Sequence, residues 1–167
     1  MSIDQRSPRR AFVGLGSNVE PARNLRAALV ALERTFGDLR RSPVCVSPAA
    51  GYDGPDYWNL CVEFDTALPA EALVAALKDL ERSLGRQPNE PRYAPKTLDA
   101  DLLLLGDETS AAPPLPHPEI LTRAYVLGPL AMLAPRHRLP GGTDPLSDLW
   151  RNFAGADELT VLEPDPL

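Results

Sequence analysis

The sequence predicts an α+β fold, an antiparallel sheet with helices packed on it. Three observations carry this. Residues 57–65, YWNLCVEFD, alternate apolar and polar at period two, as a strand with two unlike faces does. Two other segments carry leucine stripes at helical spacing, each opened by a proline and closed by a glycine. The elements follow one another as strand, helix, strand, strand, helix, strand.

Each element has its own signal. Met1 to Arg10 are polar, without the apolar stretch of a secretory signal, and predict a disordered leader 1–10 ahead of a single domain 11–167. Residues 11–17, AFVGLGS, form a strand with Val13, Leu15 and Ser17 on one face. Pro21 suits the first turn of a helix, Leu25, Leu29, Leu32 and Phe36 give its buried stripe, and Gly37 stops it. Residues 42–48, SPVCVSP, predict an edge strand, because a proline cannot donate to a ladder. A turn-rich connection follows. In the strand 57–65, Trp58, Leu60, Val62 and Phe64 face the core, and Tyr57, Asn59, Cys61 and Glu63 face away. Pro69 opens a second helix, with Leu73, Leu77, Leu80 and Leu84 buried and Gly85 as its stop. Residues 86–97, RQPNEPRYAPKT, have no apolar period and read as a loop. Residues 98–105, LDADLLLL, are the fourth strand, with Leu98, Ala100, Leu102 and Leu104 on the core side. This order is that of a ferredoxin-like βαββαβ core with both helices on one face of the sheet. An irregular Pro-rich stretch at 110–118 leads to C-terminal helical additions. These are a short helix near Leu121–Leu133 and a second, capped by Asp144 and Pro145, with Leu146, Leu149, Trp150 and Phe153 as its apolar side. A last strand is expected at 158–162.

Composition narrows the function. The 167 residues carry 17 Lys+Arg against 23 Asp+Glu, a net charge of −6, which argues against a nucleic-acid-coating surface. At 44% hydrophobic the chain can bury a core and is not a disordered polymer. Cys45 and Cys61 are too few for a disulfide framework, and without a CxxC they predict no structural zinc. No apolar run reaches the ~18 residues of a membrane span. A cytoplasmic protein without membrane or nucleic-acid partners is expected, acting as a monomer.

Asp99 and Asp101 are the first candidates for chemistry. Two apart on a strand, they share a face with Cα atoms about 6.6 Å apart. Adjacent carboxylates repel, and one or two Mg²⁺ ions with a polyphosphate would resolve that, although a solvated strand face also fits an isolated DxD. The preceding loop concentrates Arg86, Arg92 and Lys96 against only Glu90 in an otherwise acidic chain. Cations beside metal-type carboxylates suit a nucleoside triphosphate. Gly14 and Gly16 lack the rest of a dinucleotide or P-loop fingerprint; they suit close approach of a ligand or a neighbouring strand. Tyr57 and Asn59, on the non-core face, can stack on and hydrogen-bond a flat heterocycle. Glu81 borders the second helix's buried stripe, as an edge residue or as a site group. His117 lies between prolines ahead of Arg123 and Tyr125, placed either for structure or for ligand contact.

The motifs GLGSN, GPDYWN, ExxxGR (Glu81 to Arg86), APKTLDADLLLLG and LPHPEILTRAYVLGPLAMLAP occur in this order. Together they resemble the 6-hydroxymethyl-7,8-dihydropterin pyrophosphokinases of folate biosynthesis, over about residues 11–135. The resemblance implies a reaction in which ATP and the pterin give AMP and the pterin diphosphate. It implies Asp99 and Asp101 as ligands of two Mg²⁺ ions. Arg86, Lys96, His117 and Arg123 would be phosphate contacts, with Arg92 a further basic loop position and Glu81 a carboxylate near the nucleotide. Arg86, Arg92, Lys96, Asp99 and Asp101 would carry the catalysis. Tyr57, Asn59 and Tyr125 would clamp the pterin, with Ser47, Pro48 and Ala50 lining it and Asp99 beside it.

The chain also departs from the family's pattern. Lys96 stands where an arginine is usual, Pro88 replaces a second loop arginine, Tyr93 a frequent tryptophan and Tyr125 a phenylalanine, and residues 47–51 read SPAAG. Lysine keeps the charge at 96 but not the bidentate fork. A second reading therefore stands beside the enzyme: a divergent paralogue that binds pterin or nucleotide with little turnover. The retained Asp99, Asp101, Arg86, His117 and Arg123 favour the enzyme.

Overall fold

The computed structural model describes residues 7–49, 51, 53–91 and 94–167. Its elements are β1 (Arg9–Ser17), α1 (Pro21–Phe36), β2 (Arg40–Arg41), β3 (Cys45–Ser47), β4 (Tyr57–Thr66), α2 (Ala70–Ser83) and β5 (Asp99–Leu105). A small hairpin of β6 (Ser110–Ala111) and β7 (Pro114–Leu115) follows, then α3 (Ala124–Leu133), α4 (Leu146–Arg151) and β8 (Thr160–Val161). Short 3₁₀ turns occupy Pro118–Leu121 and Ala156–Glu158. The main sheet runs β5-β1-β4-β3-β8, with β2 beside β4. Every pairing in it is antiparallel. This is the ferredoxin-like order, with the first and third core strands central.

Helices α1 and α2 cover one face. Leu25, Ala28 and Leu32 of α1 and Leu73, Leu77 and Leu80 of α2 meet Val13, Leu15, Leu60, Val62 and Phe64 of the strands. Gly37 ends α1 at a φ of 86°, and its N–H donates to Glu33 O at 2.8 Å. That left-handed position suits a residue without Cβ.

The sequence expectations change in four places. First, β1 begins at Arg9, so Arg9 and Arg10 belong to the sheet rather than to a leader; they pair with Thr66 and Asp65. Second, the edge strand is two pieces. Pro43 lacks the N–H that would continue the ladder, and Ser42 bridges the break: its N–H donates to Cys61 O and its Oγ accepts from Cys61 N–H, both at 2.9 Å. Third, the β1–β5 register shifts between Phe12 and Val13, which leaves Leu103 as an extra residue. Such a bulge interrupts the alternation. Leu104 therefore leaves the core side expected for it and packs with Phe12, Cys61 and Leu103 on the other face. Fourth, that other face is not open. Leu127, Leu130 and Leu133 of α3 and Leu146 of α4 bury it, together with Cys61. Glu63, on that face as expected, is buried there and held by Arg10 at 3.1 Å and Arg40 at 2.9 Å.

Candidate active site

The second face is covered only at one end. Beside the start of α3, the sheet floor opens into a cavity of about 420 Å³. Register builds its floor. Gly16 of β1 lies between Asn59 of β4 and Asp99 of β5, and Gly14 lies between Cys61 and Asp101. The two glycines therefore separate a carboxamide row from a carboxylate row. A Cβ at Gly16 would stand 3.3 Å from Asn59 Oδ1, and one at Gly14 3.4 Å from a Leu103 methyl. Side chains there would fill the floor, which gives GLG a physical purpose.

On the β4 side, Asn59 is buried and donates Nδ2 to Ser47 Oγ at 2.9 Å. This fixes the carboxamide beside Tyr57, which is half-buried and also lines the cavity. Pro48 and Gly51 add to this wall. Tyr125, at the start of α3, enters from a separate element, and burial raises its phenol above the usual range.

On the β5 side, Asp99 and Asp101 both line the cavity. Arg86 hydrogen-bonds Asp99 through Nη1. Burial, then the charge of Asp99, push the Asp101 carboxyl up to about 7, against the opposing pull of Lys78. Lys96 lines the cavity as expected, but it is not a free loop cation. It is buried, with Nζ 3.2 Å from Pro91 O and 3.6 Å from Glu90 Oε2. Asn18 pins its backbone: Lys96 N–H donates to Asn18 Oδ1 at 2.8 Å, and Asn18 N–H donates to Lys96 O at 3.1 Å. The asparagine of GSN thus fixes the end of the loop 86–97 just ahead of β5.

His117 and Arg123 also line the cavity. His117 N–H donates to Leu103 O at 2.9 Å, and its Nδ1 accepts from Glu119 N–H at 3.2 Å. Burial lowers its pKa. An imidazole accepting at Nδ1 is neutral, with Nε2–H as its donor, so His117 is a hydrogen-bond donor rather than a further cation. Arg123 is exposed at the rim.

Ten sequence-predicted residues thus meet in one cavity: Ser47, Pro48, Tyr57, Asn59, Lys96, Asp99, Asp101, His117, Arg123 and Tyr125. Arg86 reaches it through Asp99. Glu81 stays behind β5, buried, with Oε1 accepting from Ala100 N–H at 2.9 Å and lying 3.4 Å from Arg86 Nη1. Ala50 and Arg92, expected at the pterin and in the basic loop, lie outside the described residues, as does Tyr93. Sequence reasoning missed Asn18, Lys78 and Glu119. Lys78 had one legible signal, its i,i+3 spacing from Glu81.

Among the described residues no three His, Cys, Asp or Glu side chains form a metal cluster. The donor set they offer is the Asp99–Asp101 pair. Hard carboxylate oxygens suit Mg²⁺, which keeps waters and takes further ligands from substrate phosphates. The pair fits an ion that arrives with a polyphosphate.

The pattern described as 7,8-dihydro-6-hydroxymethylpterin-pyrophosphokinase matches residues 12–135. The 2-amino-4-hydroxy-6-hydroxymethyldihydropteridine pyrophosphokinase of Pseudomonas aeruginosa is 41% identical over 140 residues, 80% of this chain and 85% of its own. The enzyme of the same name from Bacillus subtilis is 30% identical over 163 residues, 92% of this chain and 97% of its own. In fold, the chain resembles wild-type Plasmodium falciparum HPPK-DHPS, with a TM-score of 0.73 and 12% identity over 92% of this chain, and it spans 42% of that longer protein. The match across most of the chain, over the span that contains the cavity, makes this protein a member of the 7,8-dihydro-6-hydroxymethylpterin-pyrophosphokinase family.

Proposed function

We propose that the chain transfers diphosphate from ATP to 6-hydroxymethyl-7,8-dihydropterin, in folate biosynthesis, and releases AMP. The observation that carries this is the shared floor: Asn59, Gly16 and Asp99 occupy one row of neighbouring strands. A heterocycle held at Asn59 lies next to a polyphosphate held at Asp99, across a residue with no side chain. The pterin hydroxyl oxygen attacks the β-phosphorus. A new O–P bond forms, the bond from that phosphorus to the α,β-bridging oxygen breaks, AMP leaves, and the hydroxyl proton goes to solvent.

Each residue has a part. Tyr57 and Tyr125 stack on the pterin, Asn59 hydrogen-bonds its edge, and Ser47 and Pro48 shape that wall. Asp99 and Asp101 would hold two Mg²⁺ ions, which supply charge neutralisation along the triphosphate. Arg86 and Lys96, at the two ends of the loop 86–97, with Arg123 add positive charge, and His117 donates through Nε2–H. Arg92 and Ala50 keep their expected roles in this reading, phosphate contact and pterin lining. Positioning and electrostatics do most of the work, as phosphoryl transfer allows. No helix of the described residues is long and apolar enough to cross a membrane. The same proposal makes the enzyme a monomer acting in the cytoplasm on small polar substrates.

A single-turnover reaction with ATP, Mg²⁺ and the reduced pterin tests the reading. One AMP should appear for each pterin consumed, with neither ADP nor free phosphate. Stoichiometric ADP would overturn the reaction class. Pterin binding without any nucleotide product would favour the binding module instead.

A further inference from the structure

Each carboxylate of the Asp99–Asp101 pair faces a cation, and the two cations share one anchor. Arg86 is held on Asp99, and Lys78 of α2 lies 3.9 Å from Asp101 Oδ1. Behind β5, Glu81 Oε1 accepts from Lys78 Nζ at 3.1 Å and lies 3.4 Å from Arg86 Nη1, while Ala100 N–H, between the two aspartates, holds the same oxygen. Glu81 is buried, so this anchor is fixed. Lys78 is the less confined of the two cations, its side chain 43% exposed against 24% for Arg86.

We infer that Lys78 is the counter-charge Asp101 keeps until a metal ion arrives with its nucleotide, and that the displaced ammonium then binds the nucleotide's phosphates. The inference rests on the pyrophosphokinase reading and adds a residue and an order of events to it. A separation of 3.9 Å is an ion pair without a close hydrogen bond, and a divalent ion on Asp101 repels an ammonium that near. A polyphosphate in the cavity attracts it. Lysine suits the exchange because its compact head turns on a flexible stem. Lys78 also brings positive charge from α2 to the pair of carboxylates. Free metal must compete with Lys78, while metal bound to nucleotide brings the ammonium a new partner. The protein should therefore bind the metal–nucleotide complex in preference to the metal alone.

The test uses the full chain and its Lys78→Met and Lys78→Arg variants. Mn²⁺ binding without nucleotide is followed by electron paramagnetic resonance. Binding of a non-hydrolysable ATP analogue with Mg²⁺ is followed by calorimetry. Lys78→Met should bind free Mn²⁺ about fivefold more tightly, the size of a partly screened single charge at this distance. It should bind the Mg²⁺–nucleotide about tenfold more weakly, as after loss of a charge-assisted phosphate contact. Lys78→Arg should restore nucleotide binding to within about threefold. A purely structural role for Lys78 would not move the two affinities in opposite directions. Unchanged or weaker Mn²⁺ binding in Lys78→Met overturns the counter-charge, and unchanged nucleotide affinity overturns the transfer to phosphate. A wild-type chain that fails to bind Mg²⁺–nucleotide sinks the pyrophosphokinase reading, while the Mn²⁺ comparison still decides whether Lys78 guards Asp101.

Discussion

Burial and the charge of Asp99 raise the Asp101 carboxyl to about 7, well above its ordinary 3.8. The folded chain therefore binds a proton there that the unfolded chain has released. Between about pH 4 and 7 the apo protein loses stability from this group as pH rises, and above pH 7 the loss is complete. His117 acts in the opposite sense: its lowered pKa means that stability grows as pH rises towards 6.5. Comparing wild type with Asp101→Asn separates the two. Because the side chain is 43% exposed, solvent screens much of the penalty. Asp101→Asn should stabilise the apo protein at pH 8 by roughly 1–2 kcal/mol, remove the acid-side part of the pH slope, and abolish turnover. Urea midpoints at pH 5 and 8, with a product assay, check this; a destabilised Asn variant would contradict the raised pKa. At this scale the sequence was informative wherever a residue's role follows from its own strand. Asp99, Asp101, Tyr57 and Asn59 were legible from alternation. The burial of Lys96 was not, because it depends on Glu90 and on Asn18, which is remote in the chain.

Elements were legible in kind and less so in their breaks. The stripes of α1 and α2 bury as their periods predict. The bulge in β5 was invisible, because LLLL carries no alternation for a register shift to violate. Helix α3 is almost wholly apolar, so its sequence does not say which side meets the sheet. Its Gly128 shows how closely it is packed. A Cβ there would overlap a Leu159 methyl and stand 3.0 Å from Trp150 Cη2. Alanine favours a helix over glycine by up to about 1 kcal/mol. Overpacking a ring and a methyl is worth about 1–3 kcal/mol in the other direction and wins. Gly128→Ala should lower stability by about 1 kcal/mol net. It should also raise the pterin Kd, since the shifted helix begins beside Tyr125, and should leave ATP-analogue affinity within about twofold. Thermal melts and calorimetry decide this; a more stable variant would mean that the Leu159 and Trp150 side chains yield freely.

At the scale of the whole molecule, the last eight residues return to the far edge of the sheet. Thr160 and Val161 pair with Val46 and Cys45, and Leu162 N–H donates to Val44 O at 2.8 Å. Leu162 and Leu167 pack against the helix-covered core, Asp165 binds Arg41 at 3.0 Å, and Arg26 donates to Pro166 O at 2.5 Å. A local reading of ELTVL suggests a strand but not its partner, since pairing across more than a hundred residues leaves no trace in the segment. The consequence reaches the site. β8 covers the outer edge of β3, and β3 carries Ser47, which holds the Asn59 carboxamide. Removing residues 160–167 would leave β3 as an exposed edge with unpaired backbone groups. Two partly buried leucines and a few net hydrogen bonds are worth about 2–4 kcal/mol. The truncated chain should lose that much stability and should bind pterin several-fold more weakly. Nucleotide affinity should hold, because Asp99, Asp101 and Lys78 lie on the far side of β1 and β4 from this edge. Leu162→Ala should show the same bias in milder form if the truncation folds poorly. Urea titration and calorimetry with each ligand separate the effects. Equal losses for pterin and nucleotide, in either variant, would show that the tail supports the molecule as a whole rather than the pterin wall through β3.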